Sequence, residues 1–172
     1  MKTIAAVVRV KAVGIPKIKR YGYLEHVPFD REVILDPINS RIIPGGTIED
    51  FFSGINIDFK SYGFDANSFS TKKIKVAFFK IIKQGNFSQL VKGFGKDIDS
   101  LSITPSHLMQ FVREQSDKLQ LDHSTSVILK RGKDYRVARL FWHRKKLRMN
   151  IRSFSSGYLW RSKFNPQIVL PV

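Results

Sequence analysis

Residues 135–154, with the sequence YRVARLFWHRKKLRMNIRSF, constrain the fold more than any other stretch of the chain. Read as two antiparallel strands joined by a four-residue loop at 143–146, they place apolar side chains on one face and aromatic and basic side chains on the other. Leu140 then lies opposite Met149. A shift of one residue would mix the two faces, so the pattern predicts this register.

The best helix signal lies at residues 104–120. Thr104 is a favoured N-cap residue, and Pro105 suits the first helical position. Apolar residues then recur at helical spacing, as at Leu108 and Phe111. We expect this helix to pack on the apolar face of the hairpin.

Short β-like segments separated by turn residues fill most of the remaining chain. They predict strands at 3–13, 32–35, 41–43, 55–59, 73–83, 126–130, 158–161 and 167–170, with short helices after Thr47 and at 87–92. Pro171 favours an edge or a terminal position for the last strand. The fold class expected is α+β, a mostly antiparallel sheet with a C-terminal β-meander packed on one amphipathic helix. The Gly-, Ser- and Asn-rich stretch 53–71 suggests a boundary between a β-rich lobe (1–70) and a basic α+β lobe (71–172), although one continuous domain is also compatible.

Positive charge is concentrated in the C-terminal part of the chain. The 172 residues include 30 Lys and Arg against 14 Asp and Glu, a formal net charge of +16. Residues 124–172 contain twelve of the basic side chains and a single acid, Asp134. Because few internal ion pairs are available there, we expect a polyanionic partner.

The mixed face of the hairpin is the predicted binding site for RNA or single-stranded DNA. Aromatic and guanidinium planes stack on bases, while cations contact phosphates. The residues predicted to bind nucleic acid on this hairpin are Tyr135, Arg139, Phe141, Lys145, Lys146, Arg148, Asn150, Arg152 and Phe154. The alternative is that these aromatic residues belong to the core of a sheet buried on both faces, with the arginines reaching out to its edge.

A second basic and aromatic segment, GIPKIKRYGY, begins at Gly14. We interpret it as a loop or hairpin tip that contacts nucleic acid through Lys17, Lys19, Arg20 and Tyr21. The alternative is a solvated turn with two half-buried tyrosines.

Catalytic motifs are sparse, and we expect binding without catalysis. Asp58 and Lys60 have the acid-x-Lys spacing of metal-dependent nucleases, with Asp36 or Asp50 upstream, so a small nuclease or toxin is an alternative function. The four histidines lie far apart, with no spacing typical of a metal site. A third hypothesis is a basic subunit that binds an acidic protein within a larger assembly.

The composition predicts an intracellular, cytoplasmic protein. The longest apolar runs are far shorter than the ~20 residues of a membrane span, and no signal-peptide pattern is present. The chain has no cysteine, which excludes a disulfide framework and a thiolate nucleophile. We expect no cofactor, no bound metal and no membrane partner.

Overall fold

A computed structural model describes residues 18–28, 32–36, 54–55, 72–115, 119, 123–155, 157–162 and 166–172. The strands predicted at 3–13 and 41–43 and the helix predicted after Thr47 lie outside the described residues. Of the strand predicted at 55–59, only its first residue is described. The backbone alone is described for 54–55.

In the described part of the chain, nine strands form one sheet. They are β1 (Arg20–Tyr21), β2 (Leu24–Val27), β3 (Val33–Leu35), β4 (Gly54–Ile55), β5 (Ile74–Ile81), β6 (Thr125–Arg131), β7 (Asp134–His143), β8 (Lys146–Ser153) and β9 (Gln167–Pro171). Their order is β1-β2-β5-β9-β6-β7-β8-β4, and β3 pairs with β5 as well. The pairs are antiparallel except β4–β8 and β6–β9. With two helices, this confirms the α+β class and its mostly antiparallel sheet.

The strands on the two sides of residue 70 belong to this one sheet. Both β2 and β3 pair with β5, which lies after the predicted boundary. The strand predicted at 73–83 is thereby confirmed as β5. The division into two lobes stays a prediction.

Two helices begin at the positions that the sequence indicates. Helix α1 (Phe87–Lys92) follows Asn86, whose side chain accepts a hydrogen bond from the backbone N–H of Gln89 while the Gln89 side chain accepts one from the backbone N–H of Asn86. Helix α2 (Pro105–Gln115) follows Thr104, whose Oγ1 accepts a hydrogen bond from the His107 N–H. These caps satisfy backbone donors that have no partner within a helix. Helix α2 is described as far as Gln115, and Leu119 forms a bend, so the predicted end near 120 was too late; residues 116–118 lie outside the described residues.

The first hydrophobic core lies between α2 and one face of the sheet. Side chains of α2 and of the β7–β8 hairpin contribute Leu108, Phe111, Val112, Ala138, Leu140, Met149 and Ile151. Fully burying an aliphatic or Phe side chain is worth roughly 1.5–3 kcal/mol, so this face fixes the register of the hairpin. The predicted packing of the helix on the apolar hairpin face is confirmed.

A second hydrophobic core covers part of the opposite face. Helix α1 and a segment near the C-terminus lie over it, and its members include Phe79, Phe87, Leu90, Ile128, Val137, Trp160 and Ile168. Val137 is only 1% exposed. Segments distant in sequence therefore cover the mixed face of the hairpin at Val137, which agrees at that position with the alternative of a sheet buried on both faces.

The chain after β8 does not continue the meander. Residues 158–161 were predicted as a strand, but they form a single bridge, Gly85 with Trp160. Strand β9 then lies in the middle of the sheet, between β5 and β6. Of the two positions that Pro171 favours, an edge strand and a terminal position, only the terminal one is observed. Pro171 is nevertheless accommodated at the end of β9, because the pairing with β6 stops at Val169.

Candidate nucleic-acid interface

The β7–β8 hairpin has the register predicted from its sequence. Leu140 pairs with Met149, Arg139 with Asn150 and Phe141 with Arg148. The loop is shorter than the predicted four residues, because His143 and Lys146 pair with each other and only Arg144 and Lys145 form the turn. Both turn residues have positive φ, 50° and 62°. Shortening the loop by one residue at each end leaves the register unchanged.

The sheet has two ends that differ in charge. We call the end with the β7–β8 turn, Arg144–Lys145, the tip end, and the end with the β6–β7 turn, Gly132–Lys133, the paired end. The register across β5, β9, β6 and β7 aligns Lys80, Gln167, Thr125 and Leu140 toward the tip end. Ile74 and Pro171 lie toward the paired end.

Ion pairs neutralise four basic residues of the paired end. The described pairs there are Lys73–Asp36, Lys75–Glu32, Lys130–Asp99 and Arg136–Asp134. Asp99 also accepts a hydrogen bond from the Tyr135 hydroxyl. The hydrogen bond from Lys130 lowers the pKa of Asp99, and Asp99 in turn raises the pKa of Lys130. Each of these acids offsets a cation that would otherwise face solvent alone.

The tip end carries exposed cations without such partners. Within the described ranges, no ion pair or hydrogen bond involves the side chains of Arg144, Lys145, Lys146, Arg148 or Arg161, and all five residues are exposed. Lys80 and Lys83, at the end of β5, are exposed as well. Coulombic attraction to a polyanion is therefore concentrated at one end of the sheet.

Aromatic and amide groups lie beside these cations on the second face of the hairpin. Phe141 is half-buried, and Asn150 is half-buried opposite Arg139. The guanidinium carbon of Arg152 lies 4.4 Å from the ring centroid of Tyr158, which is 39% exposed. We call Phe141, Arg144, Lys145, Lys146, Arg148, Asn150 and Arg152 the hairpin face.

Two predicted stacking residues lie elsewhere. Tyr135 is at the paired end, where its hydroxyl donates to Asp99 and its ring lies 5.8 Å from Lys130 Nζ. Phe154 packs against the second core, with its ring 6.1 Å from that of Phe87. An acid beside Tyr135 repels phosphate, and the core occupies part of the Phe154 ring. We leave both residues out of the hairpin face.

The basic and aromatic segment that begins at Gly14 is the second predicted contact with nucleic acid. Its described part forms a hairpin, as its sequence suggests. Strands β1 and β2 pair around Gly22–Tyr23, and Gly22 has a φ of 61°. Tyr21 stacks on Phe94 with 4.6 Å between ring centroids, which agrees with the alternative of half-buried tyrosines. Arg20 forms an ion pair with Glu25 at 2.8 Å. Lys19 is exposed, and Lys17 lies outside the described residues.

Both hairpin turns lie at the tip end. Leu24, directly after the β1–β2 turn, pairs with Ile81 at the end of β5. Three strands, β5, β9 and β6, separate β2 from β7. With roughly 4.8 Å between neighbouring strands, the two hairpins are about 19 Å apart across the sheet.

Arg139 differs from the other arginines of the hairpin because it lines a pocket. The pocket has a volume of about 500 Å³ and lies between the start of β6, the start of β9 and residues 157–161. Sequence reasoning missed Tyr158 and Arg161, which also line it. The sequence YLWR at 158–161 is an aromatic and basic cluster, but these residues were predicted to form a strand and not a binding site.

No described residue suggests a metal or a catalytic centre. Within the described ranges, no group of three or more His, Asp or Glu side chains is placed to hold a metal ion. His107 is buried, with Nε2 2.8 Å from the Lys72 carbonyl oxygen and Nδ1 3.1 Å from Thr104 Oγ1. These contacts join α2 to β5. The nuclease candidates Asp58 and Lys60 lie outside the described residues.

Two further findings bear on function. In the part of the chain that the structure describes, none of the helices has the length and apolar character needed to cross a membrane. Comparison of the chain with protein-family models, with curated protein sequences and with solved structures gave no match.

Proposed function

We propose that the chain binds single-stranded nucleic acid, RNA or DNA, through the hairpin face and the neighbouring cations of the tip end. The observation that carries the proposal is the separation of charge between the two ends of the sheet. Acids accompany four cations of the paired end, whereas no described acid forms an ion pair with Arg144, Lys145, Lys146 or Arg148. Exposed cations that lie close together repel one another, and a bound polyanion relieves this repulsion.

The side chains at this site suit contacts to phosphates. Lys145 and Lys146 are flexible point charges, which contribute affinity that depends on salt and not on base sequence. Arg148 and Arg152 present planar guanidinium groups that bind phosphate in a bidentate manner or stack on a base. Both arginines are exposed on the same face of β8.

The half-buried ring of Phe141 and the amide of Asn150 supply contacts to bases. Phe141 pairs with Arg148 across the hairpin, so a base stacked on this ring has a guanidinium group beside it. Asn150 offers one donor and one acceptor group to a base edge. Stacking requires an unpaired base, which favours a single strand over a duplex.

The proposal is tested by fluorescence anisotropy with labelled single-stranded RNA, single-stranded DNA and duplex DNA of equal length, each at several salt concentrations. We expect binding that weakens steeply with salt, with single strands bound more tightly than the duplex. Equal affinity for the single strand and the duplex would remove the stacking part of the proposal. No binding to any of the three at low salt would remove the proposal itself.

A further inference from the structure

The pocket beside Arg139 has the chemistry of an anion site. Arg139 and Arg161 both line it, together with Ser124, Tyr158 and Trp160, and none of the described lining residues is acidic. The Arg139 guanidinium carbon lies 5.5 Å from the ring centroid of Phe141 and 5.8 Å from that of Trp160. These ring faces hold the guanidinium group in place without neutralising its charge.

Arg139 has an unsatisfied donor. Its Nε is buried and has no hydrogen-bond partner in the described structure. The hydroxyl of Ser126, directly across the β6–β7 ladder, is also buried without a partner. Buried polar groups are nearly always hydrogen-bonded, whereas Arg139 as a whole is half-buried and lines the pocket. A bound anion would offset the charge of Arg139.

The size of the pocket indicates more than a bare phosphate. A volume of about 500 Å³ is in the range of sites that hold small organic ligands. Aromatic surface is available from Tyr158, and Trp160 forms part of the wall. Two arginines favour a dianion, which is the main form of a phosphate monoester near neutral pH.

We propose that this pocket binds a nucleotide through its phosphate monoester, with Arg139 and Arg161 contacting the phosphate and Tyr158 contacting the nucleoside. This inference rests on the proposed function. The nucleotide is then the phosphorylated end of a bound single strand, because the pocket lies at the tip end beside the hairpin face. A free mononucleotide presents the same chemistry.

The experiment compares four probes: AMP, adenosine, and one RNA oligonucleotide with either a 5′-phosphate or a 5′-hydroxyl. AMP and adenosine are titrated by NMR, where the indole N–H signal of Trp160 reports on the pocket and that of Trp142, on the other face of the sheet, serves as an internal control. We expect AMP, and not adenosine, to shift the Trp160 signal. We also expect the 5′-phosphate to tighten oligonucleotide binding about tenfold, as one or two charge-assisted hydrogen bonds would.

The variant Arg161→Gln separates this inference from the proposed function. Arg161 is exposed, so the substitution leaves the fold intact. We expect it to abolish the preference for the 5′-phosphate and, because Arg161 is also a cation of the tip end, to weaken the 5′-hydroxyl oligonucleotide less than the 5′-phosphorylated one. The control Arg144→Gln, in the hairpin turn, should weaken both oligonucleotides equally.

The outcomes are distinguishable. Equal binding of the two oligonucleotides together with no response to AMP would overturn the pocket and leave the proposed function standing. A response of Trp160 to AMP without oligonucleotide binding would overturn the proposed function, support the pocket and identify the free nucleotide as its ligand.

Discussion

Arg144 and Lys145 form the two-residue turn between β7 and β8, and both have φ in the left-handed region, at 50° and 62°. Asn-Gly is the preferred pair in two-residue turns with positive φ at both positions, because Gly carries no Cβ and Asn tolerates this conformation. Two long cations at these positions therefore cost stability. Their presence in this turn agrees with a role for their charge at the tip end.

Replacing this turn with Asn-Gly should change stability and nucleic-acid affinity in opposite directions. The double variant Arg144→Asn/Lys145→Gly is expected to raise the free energy of unfolding by about 1–2 kcal/mol, because it relieves the left-handed strain. It should also weaken oligonucleotide binding, because it removes two cations. Urea unfolding and anisotropy measure the two effects.

The control for the turn is Arg144→Gln/Lys145→Gln, which removes the same charge and keeps the strain. We expect unchanged stability and the same loss of affinity. An Asn-Gly variant no more stable than this control would show that the turn carries no strain.

Gly93 is needed for a close approach between α1 and the first hairpin. A Cβ at this position would lie 2.6 Å from the Tyr21 carbonyl oxygen, a backbone atom that cannot move aside by rotation. We expect Gly93→Ala to destabilise the protein by about 1–3 kcal/mol, the usual cost of overpacking. The matched control is Gly157→Ala, because a Cβ there meets nothing within 4 Å. Equal midpoints of thermal unfolding for the two variants would contradict this contact.

The fold should lose stability in mild acid through His107. Burial lowers the pKa of His107 below its ordinary value near 6.5, because the charged form loses hydration. The unfolded chain then binds a proton at a higher pH than the folded chain does. Stability is therefore expected to fall as the pH decreases through 6.5 and to stop falling below the folded pKa.

Urea unfolding between pH 8 and pH 5 measures this dependence. The variant His107→Gln removes the titrating group, so its stability should change less over the same pH range. Parallel curves for the wild type and the variant would show that His107 is not the source of the slope.

The sequence predicted local relationships better than distant ones. The register of Leu140 with Met149 follows from alternation within one hairpin, where only a few residues separate the partners. The position of β9 between β5 and β6 could not be predicted in this way. Its run QIVLP is apolar throughout, so its pattern does not reveal which strands it joins.

The candidate site was predicted only in part, because its exposure also depends on segments that are distant in sequence. Alternation placed Val137 and Arg139 on one face of β7, but it could not show that α1 and Trp160 cover Val137. The charge count pointed to the C-terminal segment. It did not distinguish Arg136, which forms an ion pair with Asp134, from Arg148, which has no acid beside it in the described structure.

Phe141 should contribute more to the affinity for single strands than to the affinity for duplex. Phe141→Ala is expected to weaken single-strand binding by about 1–3 kcal/mol, the value of one stacked base, and to change duplex binding less. Phe154→Leu serves as the control, because Phe154 packs against the second core and should affect stability without changing this selectivity. Anisotropy with both substrates gives the comparison, and an equal loss for the two would argue against stacking on Phe141.

The most direct test of the tip-end account is the salt dependence of single-strand binding in two charge-matched double variants. Lys146→Gln/Arg148→Gln removes two cations of the hairpin face at the tip end, and Lys72→Gln/Lys133→Gln removes two exposed cations of the paired end. The slope of log K against log salt should decrease by about 1.4 in the first variant, at ~0.7 per lost phosphate contact, and stay unchanged in the second. The same slope in both variants would contradict the proposal that the tip end binds nucleic acid.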